Sequence, residues 1–197
     1  LGGPQRKVSF SVPTGNFGDI FAGYVAKRMG LPISQLIIAT NRNDVLHRVM
    51  TTSTYGRQTL HHTLSPSMDI TVSSNFERLL FDLYDRDGAA LADLMQRFDK
   101  GDISFSDEAM GRARSLFSSQ CVSDEDTRAQ IASTWNECEY LLDPHSAIGL
   151  RDHMQRLDEE LRQCRKPLRI KKCRLPFHPR AEAAPTALRQ SQKPGKA

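Results

Sequence analysis

The sequence predicts an α/β fold, with parallel strands layered against helices and a helix-rich second half. Three observations lead there. The first 50 residues alternate strand and helix patterns twice. The run Leu36-Ile37-Ile38-Ala39-Thr40 is apolar without alternation, as a strand covered on both faces requires. From about residue 75 onward, apolar residues recur at helical spacing in successive stretches.

Each element has its own signal. Lys7-Val8-Ser9-Phe10-Ser11-Val12 alternates polar and apolar, which predicts a strand ended by Pro13. Residues 14–18 form a Gly-containing turn. Asp19 to Met29 then places Ile20, Phe21, Tyr24, Val25 and Met29 near helical spacing, with Gly30 and Pro32 as stop signals. Asn43 is the expected N-cap of a helix carrying Val45, Leu46 and Val49. Residues 51–69 read as irregular, broken by Gly56, Ser65, Pro66 and Ser67. Helices are expected over Asn75–Tyr84, Ala89–Phe98, Ser106–Phe117 and Ser123–Tyr140. Ser106-Asp107-Glu108 suits a helix N-terminus, and Ser123 with Asp126 is a variant of the capping box. Asp143-Pro144-His145 interrupts before a last helix from Ser146.

Composition narrows the class. The chain has 197 residues, 39% hydrophobic and 25% charged, which fits a soluble globular protein. No apolar run reaches the roughly 18–20 residues of a membrane span, so no membrane association is expected. The net charge of +4 is unevenly spread: residues 151–197 carry 13 Lys/Arg against 5 Asp/Glu. No aromatic platform is interleaved with that basic run, so no nucleic-acid partner is expected. Cys121, Cys138, Cys164 and Cys173 form no Cys-x-x-Cys pair, which argues against zinc and fits a reducing cytoplasm. The first residue is Leu1, and a fragment of a longer protein is expected. The expected organisation is residues 1–150 as one catalytic-type region, 151–179 as a basic extension with uncertain helix, and 180–197 as a disordered tail.

The segment Pro13-Thr14-Gly15-Asn16-Phe17-Gly18-Asp19 carries chemistry. A strand, a short Gly-bearing turn and a helix make an anion site, because the first helical amides lack partners and the dipole favours negative charge there. Gly15 and Gly18 let backbone N–H groups approach a phosphate, and Thr14 and Asn16 are candidate side-chain donors. The pattern is neither a nucleotide P-loop nor Gly-x-Gly-x-x-Gly. On spacing alone, a tight βα turn without a ligand explains it equally well.

The same segment, followed by Ala22-Gly23-Tyr24-Val25-Ala26-Lys27-Arg28-Met29-Gly30-Leu31-Pro32, resembles the cofactor-phosphate segment of threonine synthases. Ala39-Thr40-Asn41-Arg42-Asn43-Asp44, Ser65-Pro66-Ser67-Met68-Asp69-Ile70, Ser73-Ser74-Asn75-Phe76-Glu77-Arg78-Leu79-Leu80-Phe81 and Leu142-Asp143-Pro144-His145-Ser146-Ala147-Ile148-Gly149 are similar to further family stretches, in the same order. The resemblance implies a partial tryptophan-synthase-β-like fold, type II among pyridoxal-phosphate enzymes. It implies the cofactor pyridoxal 5′-phosphate, the substrate O-phosphohomoserine, and conversion of that substrate with water to threonine and phosphate, in the cytoplasm. It places Gly15, Asn16, Phe17 and Gly18 around the cofactor phosphate, with Thr14 and Asp19 flanking. A non-catalytic remnant that binds phosphate or cofactor is the alternative.

The Schiff-base Lys of the family has no match here, so no catalytic residue is assigned. Lys7, Lys27 and Lys100 read as solvated charges. The late Thr-Ala-His-Pro-Ala-Lys-Phe-like motif of the family is also unmatched, since Phe177-His178-Pro179-Arg180 differs from it. The resemblance is expected to end near Leu150, with a truncated or frameshifted reading frame beyond. His61 and His62 read as loop residues without a third metal ligand, and no metal site is assigned. Ser65, Ser67 and Asn75 are candidates for lining a substrate pocket or equally for caps and turns, His145 for a structural hydrogen bond, and Trp135 for a core or interface position.

Overall fold

The computed structural model describes residues 6–163. Strand β1 (Val8–Pro13) leads through α1 (Gly18–Arg28) to β2 (Ile33–Thr40). Helix α2 (Val45–Thr52) and the two-residue strand β3 (Thr54–Tyr55) follow, then a single 3-10 turn at Pro66–Met68. Helices α3 (Phe76–Leu83) and α4 (Gly88–Lys100), strand β4 (Ile103–Ser104) and helix α5 (Asp107–Arg114) lead to β5 (Phe117–Cys121). Helices α6 (Asp124–Cys138) and α7 (Pro144–Gln163) complete the order.

The main sheet has the order β1-β2-β5, and both pairings are parallel. Strand β2 is central, which is why its run from Leu36 to Thr40 is buried throughout. Alternation sends its side chains to two faces. Leu36 and Ile38 join the large core built from α1 to α5, whereas Ala39 packs with Met68, Val122 and Ile148 of α7. Both faces of the sheet are therefore covered, as the unalternating sequence predicts. Strands β3 and β4 form a separate antiparallel pair.

Helix α7 is seated by small-residue contact. A Cβ at Gly149 would lie 3.2 Å from the ring of Pro13. Ser11 donates from Oγ to the Gly149 carbonyl at 2.7 Å and to Asp152 at 3.0 Å. These contacts bring the start of α7 over the end of β1. Helix α7 runs without a break across residue 150, so the described backbone shows no boundary there. The expected tail over residues 180–197 lies outside the described residues, as does most of the 151–179 extension.

Three expectations change. Strand β5 replaces the predicted end of the helix over Ser106–Phe117, because the free edge of β2 pairs with Phe117–Cys121. Asn43 does not cap α2; Asp44 holds that position without a side-chain cap bond. The Asn43 amide instead donates to the His61 carbonyl and to Asp69. Trp135 is 52% exposed and is not a core residue. No helix among the described residues is long and apolar enough to cross a membrane.

Candidate functional site

A cleft of about 420 Å³ opens at the carboxyl end of β1, where the Pro13–Asp19 segment turns into α1. It is lined by that segment, by Ser67 and Met68 of the 3-10 turn, by Asn75, and by His145 and Ser146 of α7. This is the carboxyl edge of a parallel sheet, where α/β proteins bind ligands.

Phe17 shapes the turn. It sits at the N-cap of α1 in the left-handed region, with φ 66°, and makes no side-chain cap bond. That conformation is costly for a residue with a Cβ. Burial offsets the cost: the ring is 1% exposed and packs on Phe76 and Phe117 at centroid distances of 5.3 and 5.7 Å. Phe17 thus nails the turn to the core and offers its backbone, not its ring, to the cleft. The first amides of α1 have no intrahelical acceptors, and Gly18, Asp19 and Ile20 line the same cleft.

The turn's carbonyls are held from behind. Ser73 donates from Oγ to the Gly15 carbonyl at 2.9 Å, and the Asn75 N–H donates to the Asn16 carbonyl at 3.1 Å. Ser73 is itself fixed by buried Tyr55, whose hydroxyl accepts its N–H at 3.0 Å and donates to its carbonyl at 3.4 Å. These bonds fix the turn against Ser73 and Asn75. Gly15 has a packing role in addition: a Cβ there would lie 3.1 Å from the Ser67 carbonyl oxygen and 3.2 Å from Met68 Cα. Gly18 is less constrained, with Asn75 Nδ2 at 3.6 Å from its would-be Cβ. Thr14 departs from its expected role as a donor, because its buried hydroxyl spends its proton on the Val12 carbonyl at 2.5 Å. Asn16 is exposed at the cleft.

A polar network holds the 3-10 turn in place. Asn41 donates to Thr63, Ser65 and Asp69, and Asn43 donates to the same Asp69 oxygen at 3.0 Å. Thr63 donates to Asp69 from both Oγ1 and N–H, at 2.6 and 2.9 Å. Partial burial pushes the Asp69 carboxyl up, but the Thr63 and Asn41 hydrogen bonds outweigh it and leave the group below its ordinary value. Ser65 is fully buried in this network and does not line the cleft, whereas Ser67 and Asn75 do.

His145 reaches the cleft, which its sequence context alone did not indicate. Its Nε2 lies 2.9 Å from Ser67 Oγ, and its Nδ1 lies 3.2 Å from Asp143 Oδ1. The same Asp143 oxygen accepts the N–H groups of His145 and Ser146, capping α7. Hydrogen bonding from Ser146 is the main cause of a lowered Asp143 carboxyl, opposed by partial burial and supported by the His145 contacts. The signal available in the sequence was Asp143-Pro144-His145, an acidic cap that fixes the residue two positions on.

The other candidates lie elsewhere. His61 N–H donates to Asn43 Oδ1, away from any metal constellation among the described residues. Lys27 Nζ donates to the Ile33 carbonyl at 2.6 Å. No Lys lines the cleft.

No family model matches the chain. Curated relatives do. Threonine synthase of Pseudomonas aeruginosa is 56% identical over 171 residues, covering 86% of this chain and 35% of the relative. The crystal structure of PLP-bound threonine synthase from Brucella melitensis is 54% identical, with a TM-score of 0.76 over 77% of this chain and 33% of that one. Yeast threonine synthase is 40% identical in sequence, with a TM-score of 0.74 over 78% and 33%. A match to 86% of 197 residues necessarily runs past residue 150, so the resemblance does not end where the charge balance changes. The chain spans about a third of the length of the curated relatives it matches. By sequence and by fold, it belongs to the threonine synthase family.

Proposed function

We propose that this stretch forms the phosphate-holding wall of a pyridoxal-phosphate enzyme, and that the protein carrying it converts O-phosphohomoserine and water to threonine and phosphate. The observation that carries this is the uncapped start of α1, opening into the cleft behind a turn whose carbonyls are tied back. The residues fit a phosphate monoester. The Gly15–Gly18 backbone offers amides at a helix N-terminus, and the groove at Gly15 is closed to any side chain.

When bound, the cofactor supplies an electron sink for the substrate carbon skeleton. The chain's own residues bind and orient. Gly15, Asn16, Phe17 and Gly18 hold the phosphate through backbone N–H groups; Ser73 and Asn75 fix the turn that presents them. Thr14 supports the turn from beneath. Asp19 lies at the cleft beside the helix start, and a carboxylate there is a dipole partner rather than a phosphate ligand. This stretch is assigned the phosphate wall and not the cofactor lysine, which agrees with the lysine-free lining of the cleft. A cytoplasmic location belongs to the same reading, supported by the free thiols of Cys121 and Cys138.

Titration of the chain with pyridoxal 5′-phosphate and with pyridoxal, followed by fluorescence, tests the reading. Binding that depends on the phosphate, by about tenfold or more, is expected from several charge-assisted hydrogen bonds. Equal affinity for the two compounds would falsify it. A lasting Schiff-base absorbance after dialysis would overturn the assignment of the lysine elsewhere.

A further inference from the structure

Among the residues lining the cleft, His145 is the one side chain able to carry a positive charge; neither Lys nor Arg contributes. The other ionisable group in the lining, Asp19 of α1, can add only negative charge. A phosphate monoester bound there meets helix amides and one imidazole. The state of that imidazole therefore matters.

The geometry bears on which ring nitrogen keeps a proton. An ionised carboxylate accepts hydrogen bonds and donates none, so the contact from Asp143 Oδ1 requires a proton on His145 Nδ1. In the neutral ring, Nε2 is then an acceptor and takes the Ser67 hydroxyl proton across 2.9 Å. Ser67 would turn lone pairs toward the cleft and repel a phosphate. In the protonated ring, Nε2 donates instead. The Ser67 oxygen accepts from it, and the Ser67 hydroxyl proton becomes free to donate to a phosphate oxygen. One proton on His145 thus adds a positive charge and reverses the polarity of Ser67.

We propose that Ser67 and His145 are a phosphate-recognition pair in which ligand binding is coupled to proton uptake by His145, with Asp143 as the positioning residue. The ligand class is a phosphate monoester. The proposal rests on reading the cleft as a phosphate site. His145 contacts Ser67 on the 3-10 turn and Asp143 before α7, and Asp19 of α1 and Ser146 share the cleft lining with it. An arriving phosphate dianion would add a negative charge beside the ring. Departure of phosphate from the cleft would release the same proton.

Calorimetry on the full chain tests this, using sulfate, pyridoxal 5′-phosphate and O-phosphohomoserine in two buffers of different ionisation enthalpy. Sulfate does not titrate near neutral pH, so any proton taken up on binding goes to the protein. Net proton uptake with sulfate is expected in the wild type and its loss in His145→Gln, with about tenfold weaker binding. Ser67→Ala should weaken binding while leaving proton uptake in place, and thermal melts identify any variant that fails to fold. Equal uptake in wild type and His145→Gln overturns the proposal while leaving the cofactor reading intact. Failure of the wild type to bind any of the three anions overturns both. Comparison of the two phosphate esters shows whether cofactor or substrate phosphate is the one the pair reads.

Discussion

Helices α6 and α1 begin in opposite ways. Ser123 caps α6 from the extended region, accepting the Asp126 N–H at 3.0 Å and donating back to the Asp126 carboxylate at 2.8 Å. Asp124, Glu125 and Asp126 fill its first turn with negative charge. That cap is complete within the first turn of the helix. Helix α1 begins instead at Phe17 in the left-handed region, without a side-chain cap. Asn75, which could cap α3, makes no cap bond either and lines the cleft beside Gly18. Helix α6 caps its own first amides, whereas α1 starts without a cap and has its geometry enforced from outside. For α1 the enforcing groups are the Phe17 ring, the Ser73 hydroxyl and the 3-10 turn packed on Gly15.

Breaking that enforcement should cost most. Phe17→Ala removes a fully buried ring and keeps the strained backbone. A loss of about 3–5 kcal/mol in denaturant unfolding is expected, together with loss of phosphate affinity. An unchanged unfolding midpoint would show that the turn holds itself. Gly15→Val forces a branched side chain against the Ser67 and Met68 backbone; about 1–3 kcal/mol of destabilisation is expected. Its phosphate affinity should fall by more than its stability explains, measured by calorimetry below the melting temperature.

Ser123→Ala sharpens the contrast from the other side. It should cost about 1 kcal/mol of stability through the lost cap and leave phosphate affinity unchanged. Altered binding in this variant would mean that the two helix starts are coupled. The smallest effect concerns Asp69. Its folded carboxyl lies below the ordinary value of 3.8, so the stability it contributes is present above that value and is lost as pH falls through the folded one. Urea midpoints from about pH 5 down to about pH 2 should therefore drop more steeply in the wild type than in Asp69→Asn. Parallel curves would remove the network from the acid response.

Strongly patterned segments could be read directly. The apolar run of β2 and the amphipathic faces of α3 and α4 bury the residues that their spacing marks, such as Leu79, Leu80, Leu91 and Leu94. Capping signals at Ser106 and Ser123 also held, since a cap is a contact over three residues. Strand β5 could not be read this way. Phe117-Ser118-Ser119-Gln120-Cys121 has little β pattern, and its strand form comes from register with β2, about 80 positions earlier in the chain. Asn43 differs from its cap expectation for a related reason: Asp69 recruits its amide, and that competition exists only in three dimensions.

By itself the sequence determined the α/β class, the glycine-bearing turn at Pro13–Asp19 and the ordered motifs that link the chain to its family. Those depend on short-range patterns: periodicity, glycines and caps. The tertiary structure decided that Thr14 supports the turn instead of donating to a ligand, that Gly15 receives the 3-10 turn, and that His145 meets Ser67 at the cleft across 78 positions of chain. Such roles follow from which groups already have hydrogen-bond partners and which remain free. Partnership of that kind is fixed by packing between distant segments, where residue spacing carries no information.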